Sequence, residues 1–320
     1  MLACPVVKGR KSEDERFAGA IDTATVELYV PVSGRGIQGA TSHQLGQNFS
    51  KMFDVQFEDT DKQRKHVWQT SWGLSTRSIG SMIMMHSDNK GLILPPKVAK
   101  TQFVIIPIRK STDDGTALND KAHELAADLR ANGLRVEVDD SDVHNPGYKF
   151  NHWEVKGTPV RVELGARDMQ NCEVKIAIRH SGEKFQAPWE GLGAAMKDLV
   201  QTIHNQMYDK AFAARAEHLK TIASWDEFMA ALNNRDICLA DWCDEKECEE
   251  RIKDVSKEES MKAMEEMNES EALLTGSAKT LCIPYEMGKQ ASGDANAFEG
   301  VECFFCKKPA KVTALWGRSY

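Results

Sequence analysis

The sequence predicts an α+β and α/β chain in three successive parts, and three observations carry that prediction. Residues 103–178 alternate strand, helix and strand, which implies an α/β unit with a partly parallel sheet. The stretch before them mixes short β-branched runs with glycine-rich loops. The last 80 residues hold two close cysteine pairs. A length of 320 residues allows two or three domains, and 41% hydrophobic with 28% charged residues is ordinary globular usage. A wholly disordered, collagenous or membrane-embedded chain is therefore excluded. The longest apolar runs, such as Phe103 to Ile108, fall far short of the ~20 residues that span a bilayer. The N-terminal residues Met1 to Pro5 form no apolar leader, so a cytoplasmic protein is expected.

The first part runs over residues 1–99. Val26 to Val32 and Asp54 to Phe57 have strand character. Between them, Gly34, Gly36 and Gly39 match G-x-G-x-x-G, with Glu58 and Asp59 about 20 residues on. The context argues against a dinucleotide site, because Glu27 and Pro31 do not suit a central parallel strand and Ala40 to Gln47 makes a weak opening helix. Gln38 to His43 instead groups small residues with amide, hydroxyl and imidazole tips, suited to ligand contact or to a purely structural loop. Arg77 to His86 reads as a helix with Ile79, Met82, Ile83 and His86 on one face. Ser75 or Thr76 can cap it, and Arg77 stands where helix N–H groups already favour an anion.

The second part covers residues 100–220. Its strands are Phe103 to Ile108, Leu134 to Val138, Val160 to Leu164 and Val174 to Ile178. Thr116 to Asn132 is amphipathic, with Leu118, Ala122, Leu125, Ala126 and Leu129 inward and Gly133 at its end. A long helix from about Leu192 to Leu219 closes the unit. Lys149, Phe150, His152, Trp153, Glu154, Lys156, Arg161 and Arg167 interleave basic and aromatic groups. Single-stranded RNA needs such planes to stack on and such edges to read bases.

The third part, residues 221–320, contains a short helix at Asp226 to Leu232 and a strand at Leu281 to Tyr285. Cys243-x4-Cys248 and Cys303-x2-Cys306, with 54 residues between them, read as zinc ligands ahead of disulfides or two unrelated pairs. Cys4, Cys172, Cys238 and Cys282 read as small apolar residues. The net charge of −7 looks unfavourable for nucleic acid, but Asp236 to Thr275 alone carries 14 acidic and 5 basic residues. The rest of the chain is slightly basic. Glu249 to Leu274 is expected to be a solvated helix or a mobile excursion.

Together these segments resemble the C-terminal part of prolyl-tRNA synthetases of the eukaryotic and archaeal type. The blocks that carry the resemblance are PVVKGRK, SGRGIQGATSHQLGQNFSKMF, SWGLSTRSIGSMIMMHSDNKGLILPPKVA, PGYKFNHWEVKGTPVRVELGARDM and the terminal PAK…GRSY ending at Tyr320. The resemblance implies that 1–99 is part of a class II synthetase antiparallel-sheet core with motif 3 at Arg77. It implies an anticodon-binding domain over 100–220 and a small zinc-binding domain over 221–320. The implied activity is proline–tRNA ligation: L-proline attacks the α-phosphorus of ATP, and the prolyl group of the adenylate passes to tRNA(Pro).

By that resemblance Arg77 is the catalytic arginine on the ATP phosphate, with Ser75 beside it. Gln38 and Thr41 contact nucleotide and Mg2+, Gln38 being the magnesium contact. His43, Trp72 and Gly73 border the proline pocket. Phe150, Glu154, Arg161 and Arg167 read the two guanines of the proline anticodon, and Cys243, Cys248, Cys303 and Cys306 bind Zn2+. Mild departures are Ser75 where threonine is common, Ala40 where glycine is common, and Gln44 where a second histidine can occur. Class II motifs 1 and 2 have no counterpart in the sequence. A fragment of a larger enzyme is therefore expected, or else a catalytically inactive tRNA-binding module. The resemblance is compatible with a homodimer in a full-length enzyme, and with fusion to a glutamyl synthetase or editing domain.

Overall fold

The computed structural model describes residues 1–109, 115–267 and 276–319. Two compact units result: residues 5–81 with 213–320, and residues 1–4 with 82–212.

The first stretch supplies β1 (Val6–Arg10), β2 (Asp22–Val30), β3 (Arg35–Gly46), α1 (Asn48–Met52), β4 (Gln56–Glu58), β5 (Arg64–His66), β6 (Gln69–Leu74) and α2 (Arg77–His86). The segment expected to be a glycine-rich loop is thus the middle of a long strand. Gly34 makes the turn into it at φ +62°, and Gly36 lies where a Cβ would come within 2.6 Å of Leu281. Those glycines serve packing, and the dinucleotide reading has no helix to stand on. α2 has the expected limits, but its buried residues are Ser78, Ser81 and Met82, while Ile79 is exposed.

The middle stretch holds β7 (Phe103–Ile108), α3 (Thr116–Ala131), β8 (Val136–Val138), α4 (Pro146–Val155), β9 (Val160–Gly165), α5 (Ala166–Asn171), β10 (Glu173–Ile178), β11 (Lys184–Pro188) and α6 (Leu192–His218). The five strands run β11-β10-β9-β7-β8, with β7 parallel to β8 and β9 and the others antiparallel. Leu118, Ala122, Leu125, Ala126 and Leu129 of α3 are all buried against this sheet, as their helical spacing predicts. Helix α4 went unpredicted, because a ten-residue segment beginning Pro-Gly and carrying mixed polar residues has no clear period.

Burial lowers the pKa of three histidines of this unit, His86, His180 and His204, and His204 is the one lowered to about 4. His204 on α6 is buried, and its Nδ1 lacks a partner. Burial, with Lys97, the N-terminus and His86 nearby, pushes its pKa down to about 4. The unfolded ring binds a proton near pH 6.5 and the folded ring does not. Stability is therefore full above that pH and falls as pH drops from about 6.5 toward 4. Chemical denaturation at pH 7.5 and 5.0 is expected to show a loss on the order of 1–2 kcal/mol that His204→Gln reduces.

The last stretch adds β12 (Leu219–Ile222), α7 (Trp225–Asn233), β13 (Ile237–Trp242), α8 (Lys246–Met267), β14 (Ala278–Pro284) and β15 (Val312–Ser319). Helix α8 accounts for much of the acidic segment; residues 268–275 and Tyr320 lie outside the described residues. All these strands join β1, β2, β3 and β6 in one eight-stranded sheet, β12-β13-β15-β14-β1-β2-β3-β6, while β4 and β5 pair with each other. β15 also pairs with β3, so β15, β14, β1, β2 and β3 close on themselves. Residues 5–81 and 213–320 thus share one unit, whereas residues 82–99 belong with the middle stretch. The open edge of β1 is paired by β14, and Val7, Tyr29, Leu281, Cys282 and Leu315 share one apolar cluster. Among the free cysteines, Cys238 and Cys282 are buried as expected, whereas Cys172 is exposed.

Candidate functional site

Three residues expected to hold nucleotide and proline stand on one face of β3. Thr23, Thr25 and Glu27 of β2 lie opposite His43, Thr41 and Gln38. The register shifts between Val26 and Glu27, because β3 carries one extra residue there. Such a bulge resets strand alternation, so Gln38 shares a face with Thr41 and His43, although simple period-two counting puts it on the reverse. On the other flank, Gly73 of β6 is opposite Thr41 and Ser71 is opposite His43. Trp72 is opposite Ser42 and 81% exposed. Strand alternation sets Trp72 on the face opposite to that of Thr41 and His43, while Gly73 borders the row.

Neighbouring groups hold this row in place. Thr23 Oγ1 lies 2.9 Å from His43 Nδ1, which leaves Nε2 as the ring's remaining polar atom, and the Phe17 ring packs 4.7 Å from the imidazole. Neither Thr23 nor Phe17 carried a sequence signal, since both reach His43 only through tertiary pairing. Buried Glu27 accepts from Thr25 Oγ1 and Lys11 Nζ, both at 2.7 Å. Ser78 Oγ donates to the Gly39 carbonyl at 2.8 Å, which ties the start of α2 to the bulge. Ser75 Oγ accepts from the Arg77 N–H at 3.3 Å. Arg77 is exposed, with no carboxylate in ion-pair range among the described residues. Amide, hydroxyl, imidazole and guanidinium groups beside a glycine floor can hold a phosphate ester and a small zwitterion.

A second cluster forms on the five-stranded sheet. Strand registers line up Glu137, Val104, Arg161, Ala177 and Lys184 in one row. Helix α4 covers the β7 end of this face, with Phe150 and Trp153 on Val104 and Ile106. Asn145 caps the helix, its side chain accepting from Tyr148 N–H at 2.9 Å. Lys149 Nζ donates to the Asp139 carbonyl at 2.7 Å, and Trp153 Nε1 to its carboxylate at 2.9 Å. Burial pushes the Asp139 carboxyl up, but those side-chain donors outweigh it and hold the group below its usual range.

Arg161 sits at the centre of the cluster. Its guanidinium lies 4.1 Å from the Phe150 ring, donates to Glu163 Oε1 at 3.0 and 2.9 Å, and reaches Glu154 Oε1 at 3.0 Å. Arg161 and Glu163 are buried, while the Glu154 side chain is 43% exposed. Three of the five guanidinium donors are committed to carboxylates, so Arg161 holds Glu154 in place and Glu154 presents the accessible polar edge. Arg167 is exposed in α5, beyond the end of β9 and about 13 Å of strand or more from Arg161. The structure brings Phe150, Glu154 and Arg161 together and leaves Arg167 outside the cluster.

The four paired cysteines converge. Cys248 and Cys303 Sγ are 3.9 Å apart, Cys243 and Cys306 are 3.6 Å apart, and all four lie within 4.8 Å of one another. A tetrahedral zinc with Zn–S near 2.3 Å separates its sulfurs by about 3.8 Å, so the set fits a closed structural site. A disulfide needs about 2.05 Å, and all eight cysteines are free. Hydrogen bonding from Cys248, with backbone N–H groups of Cys306 and Phe305, draws Cys303 down to about 4, while burial pushes Cys243 up to about 12. Asp14, Glu15 and Glu249 also cluster, but Lys253 Nζ sits among them at 2.6, 3.0 and 3.8 Å and supplies the cation.

Comparison with known proteins adds names to these parts. Residues 225–320 match the family model "Prolyl-tRNA synthetase, C-terminal", and residues 102–199 match "Anticodon binding domain". The chain is 44% identical over its full length to the cytoplasmic proline–tRNA ligase of Arabidopsis thaliana, covering 56% of that protein. It is 42% identical over its full length to the proline–tRNA ligase of Encephalitozoon cuniculi, covering 62% of it. A crystal structure of prolyl-tRNA synthetase from Cryptosporidium parvum complexed with L-proline and AMP superimposes with a TM-score of 0.84 at 41% identity, covering all of this chain and 62% of that one. The chain thus spans somewhat more than half the length of these relatives. No helix among the described residues is long and apolar enough to cross a membrane.

Proposed function

We propose that this chain, a relative of the prolyl-tRNA synthetases along its whole length, works as the anticodon-reading, zinc-binding and motif 3 portion of a proline–tRNA ligase in the cytoplasm. The observation that carries the reading is the shared face of Gln38, Thr41 and His43 beside the start of α2. Arg77 engages the ATP phosphates there, with Ser75 fixing the helix start. Gln38 and Thr41 contact the nucleotide, with Gln38 beside its Mg2+. His43, held through Nδ1 by Thr23, offers Nε2 to the proline side of the site, and the bare backbone at Gly73 lets substrate approach closely. Such a site works by positioning and charge stabilisation: it aligns the proline carboxylate with the α-phosphorus and neutralises charge as pyrophosphate leaves.

Phe150, Glu154 and Arg161 form the anticodon-reading cluster, in which the Glu154 carboxylate accepts from guanine amino groups. Cys243, Cys248, Cys303 and Cys306 hold Zn2+, which cross-links the start of α8 to the Cys303–Cys306 turn and takes no part in chemistry. A second reading, a tRNA-binding module without ligase activity, is supported by one observation: Phe150, Glu154 and Arg161 meet in one cluster, and the four paired cysteines converge, both within this chain.

Proline-dependent ATP–pyrophosphate exchange separates the two. The chain alone is expected to give none. Joined to the remaining residues of the Arabidopsis relative, it is expected to give exchange that Arg77→Ala lowers by roughly 100-fold or more, the cost of losing an electrostatic transition-state contact. Exchange indifferent to Arg77→Ala sinks the role given to that residue, and robust exchange by the chain alone sinks the need for the other part.

A further inference from the structure

The pocket beside Glu154 has a cationic rim that the anticodon readers do not use. It is lined by Glu154, Arg161, Arg179, Lys90 and Lys184. Its two arginines are spent internally. Arg161 is committed to Glu163 and Glu154, and Arg179 binds Asp88 through two bonds at 2.6 and 2.9 Å while donating to the Glu154 carbonyl at 3.2 Å. That pairing holds the Asp88 carboxyl well below the usual range. Lys90 and Lys184 differ: both are exposed, and neither has a carboxylate in ion-pair range among the described residues. The register puts Lys184 two strands from Arg161 in the same row, with only the small side chain of Ala177 between them. An adjoining pocket shares Trp153 and Thr158 with the first and adds Lys100 and Lys156.

We infer that Lys90 and Lys184 bind the phosphates of the single-stranded RNA whose base edge meets Glu154, so that affinity and base choice are carried by different residues. The inference rests on the anticodon reading proposed above. The physical ground is a division of labour: a half-exposed carboxylate can discriminate an amino-bearing base edge but repels phosphate. A strand can settle against it only if unpaired cations neutralise its backbone nearby. Paired arginines cannot supply that charge without giving up the bonds that hold Glu163 or Asp88. Lysine, with a compact charge on a flexible stem, suits a contact that must be strong but not base-specific.

The test measures binding of the full chain to a proline-anticodon stem-loop RNA across a salt series. A second RNA replaces the two anticodon guanines with adenines. Each single-strand phosphate contact contributes roughly 0.7 to the slope of log affinity against log salt. Lys90→Ala with Lys184→Ala is therefore expected to flatten that slope by about 1.4 and weaken binding roughly 25-fold at 0.1 M salt. The guanine-to-adenine preference should stay unchanged. Glu154→Gln should do the reverse, eroding the preference with little change in slope. An unchanged slope in the double lysine variant overturns the inference even if the wild type still prefers guanine. Equal wild-type binding to both RNAs overturns the anticodon reading instead.

Discussion

Removing zinc, or replacing Cys303 with serine, is expected to collapse the C-terminal part of the chain, the largest single effect anticipated for this protein. The four cysteines are not an appendage. They belong to the same packed cluster as Phe228, Trp242, Phe304 and Trp316. Phe304 and Phe305 lie between Cys303 and Cys306; their rings meet Trp225 and Phe228, and Trp242 packs edge-on to Trp316 at 5.4 Å. With zinc bound as proposed, loss of the ion would leave buried, mutually repelling sulfurs in that cluster. Structural zinc is worth about 10–16 kcal/mol to small zinc domains, well above the stability of a typical domain. The expected result of chelation is a red shift of tryptophan emission and loss of the cooperative melt, both restored by added Zn2+. Metal analysis of the native chain should return one zinc per chain, and a metal-free chain that melts cooperatively at the same temperature would sink the zinc assignment.

Replacing Arg161 by methionine is expected to cost about 3–5 kcal/mol, the typical consequence of stripping one partner from a buried ion pair. The cost arises at Glu163, which is 6% exposed and takes two of the arginine's bonds, and much less at Glu154, which water can solvate. Replacing Glu163 by leucine in the same chain is expected to recover most of the stability, because burying two apolar groups avoids the desolvation of two charges. RNA recognition should behave differently. Glu154 loses its 3.0 Å anchor in both variants, so guanine preference should fall in the single variant and stay low in the double. Denaturant unfolding and stem-loop binding on the same samples check both halves. Recovery of preference together with stability would falsify the view that Arg161 acts by holding Glu154.

The candidate sites were legible to different degrees, for identifiable reasons. The cysteine set announces itself through spacing, because thiolate pairs a few residues apart recur wherever one ion is gripped from two turns. The proposed anticodon cluster was visible as composition, but composition could not say that Arg161 is buried and bonded to Glu163, nor that Arg167 stands beyond the end of β9. The proposed nucleotide row was legible only in part. Alternation along β3 places Gln38 opposite in sense to Thr41, and only its pairing with β2 reveals the extra residue that brings them together. The same alternation along β6 removes Trp72 from the row, although its neighbour Gly73 stays.

Local pattern by itself determined the amphipathic face of α3, the limits of α2, strand β7 and the alternating order of the middle unit. Each of these is set by side chains within one or two turns, or one strand length, of each other, and the 3.6- and 2-residue periods record them directly. Tertiary structure alone decided that β14 and β15 complete the sheet begun by β1, β2 and β3, that sulfurs 55 residues apart in sequence lie 3.9 Å from each other, and that Thr23 and Phe17 hold His43. Those outcomes depend on which distant backbone edge satisfies which, and an edge strand's hydrogen-bonding groups are alike whatever partner they find.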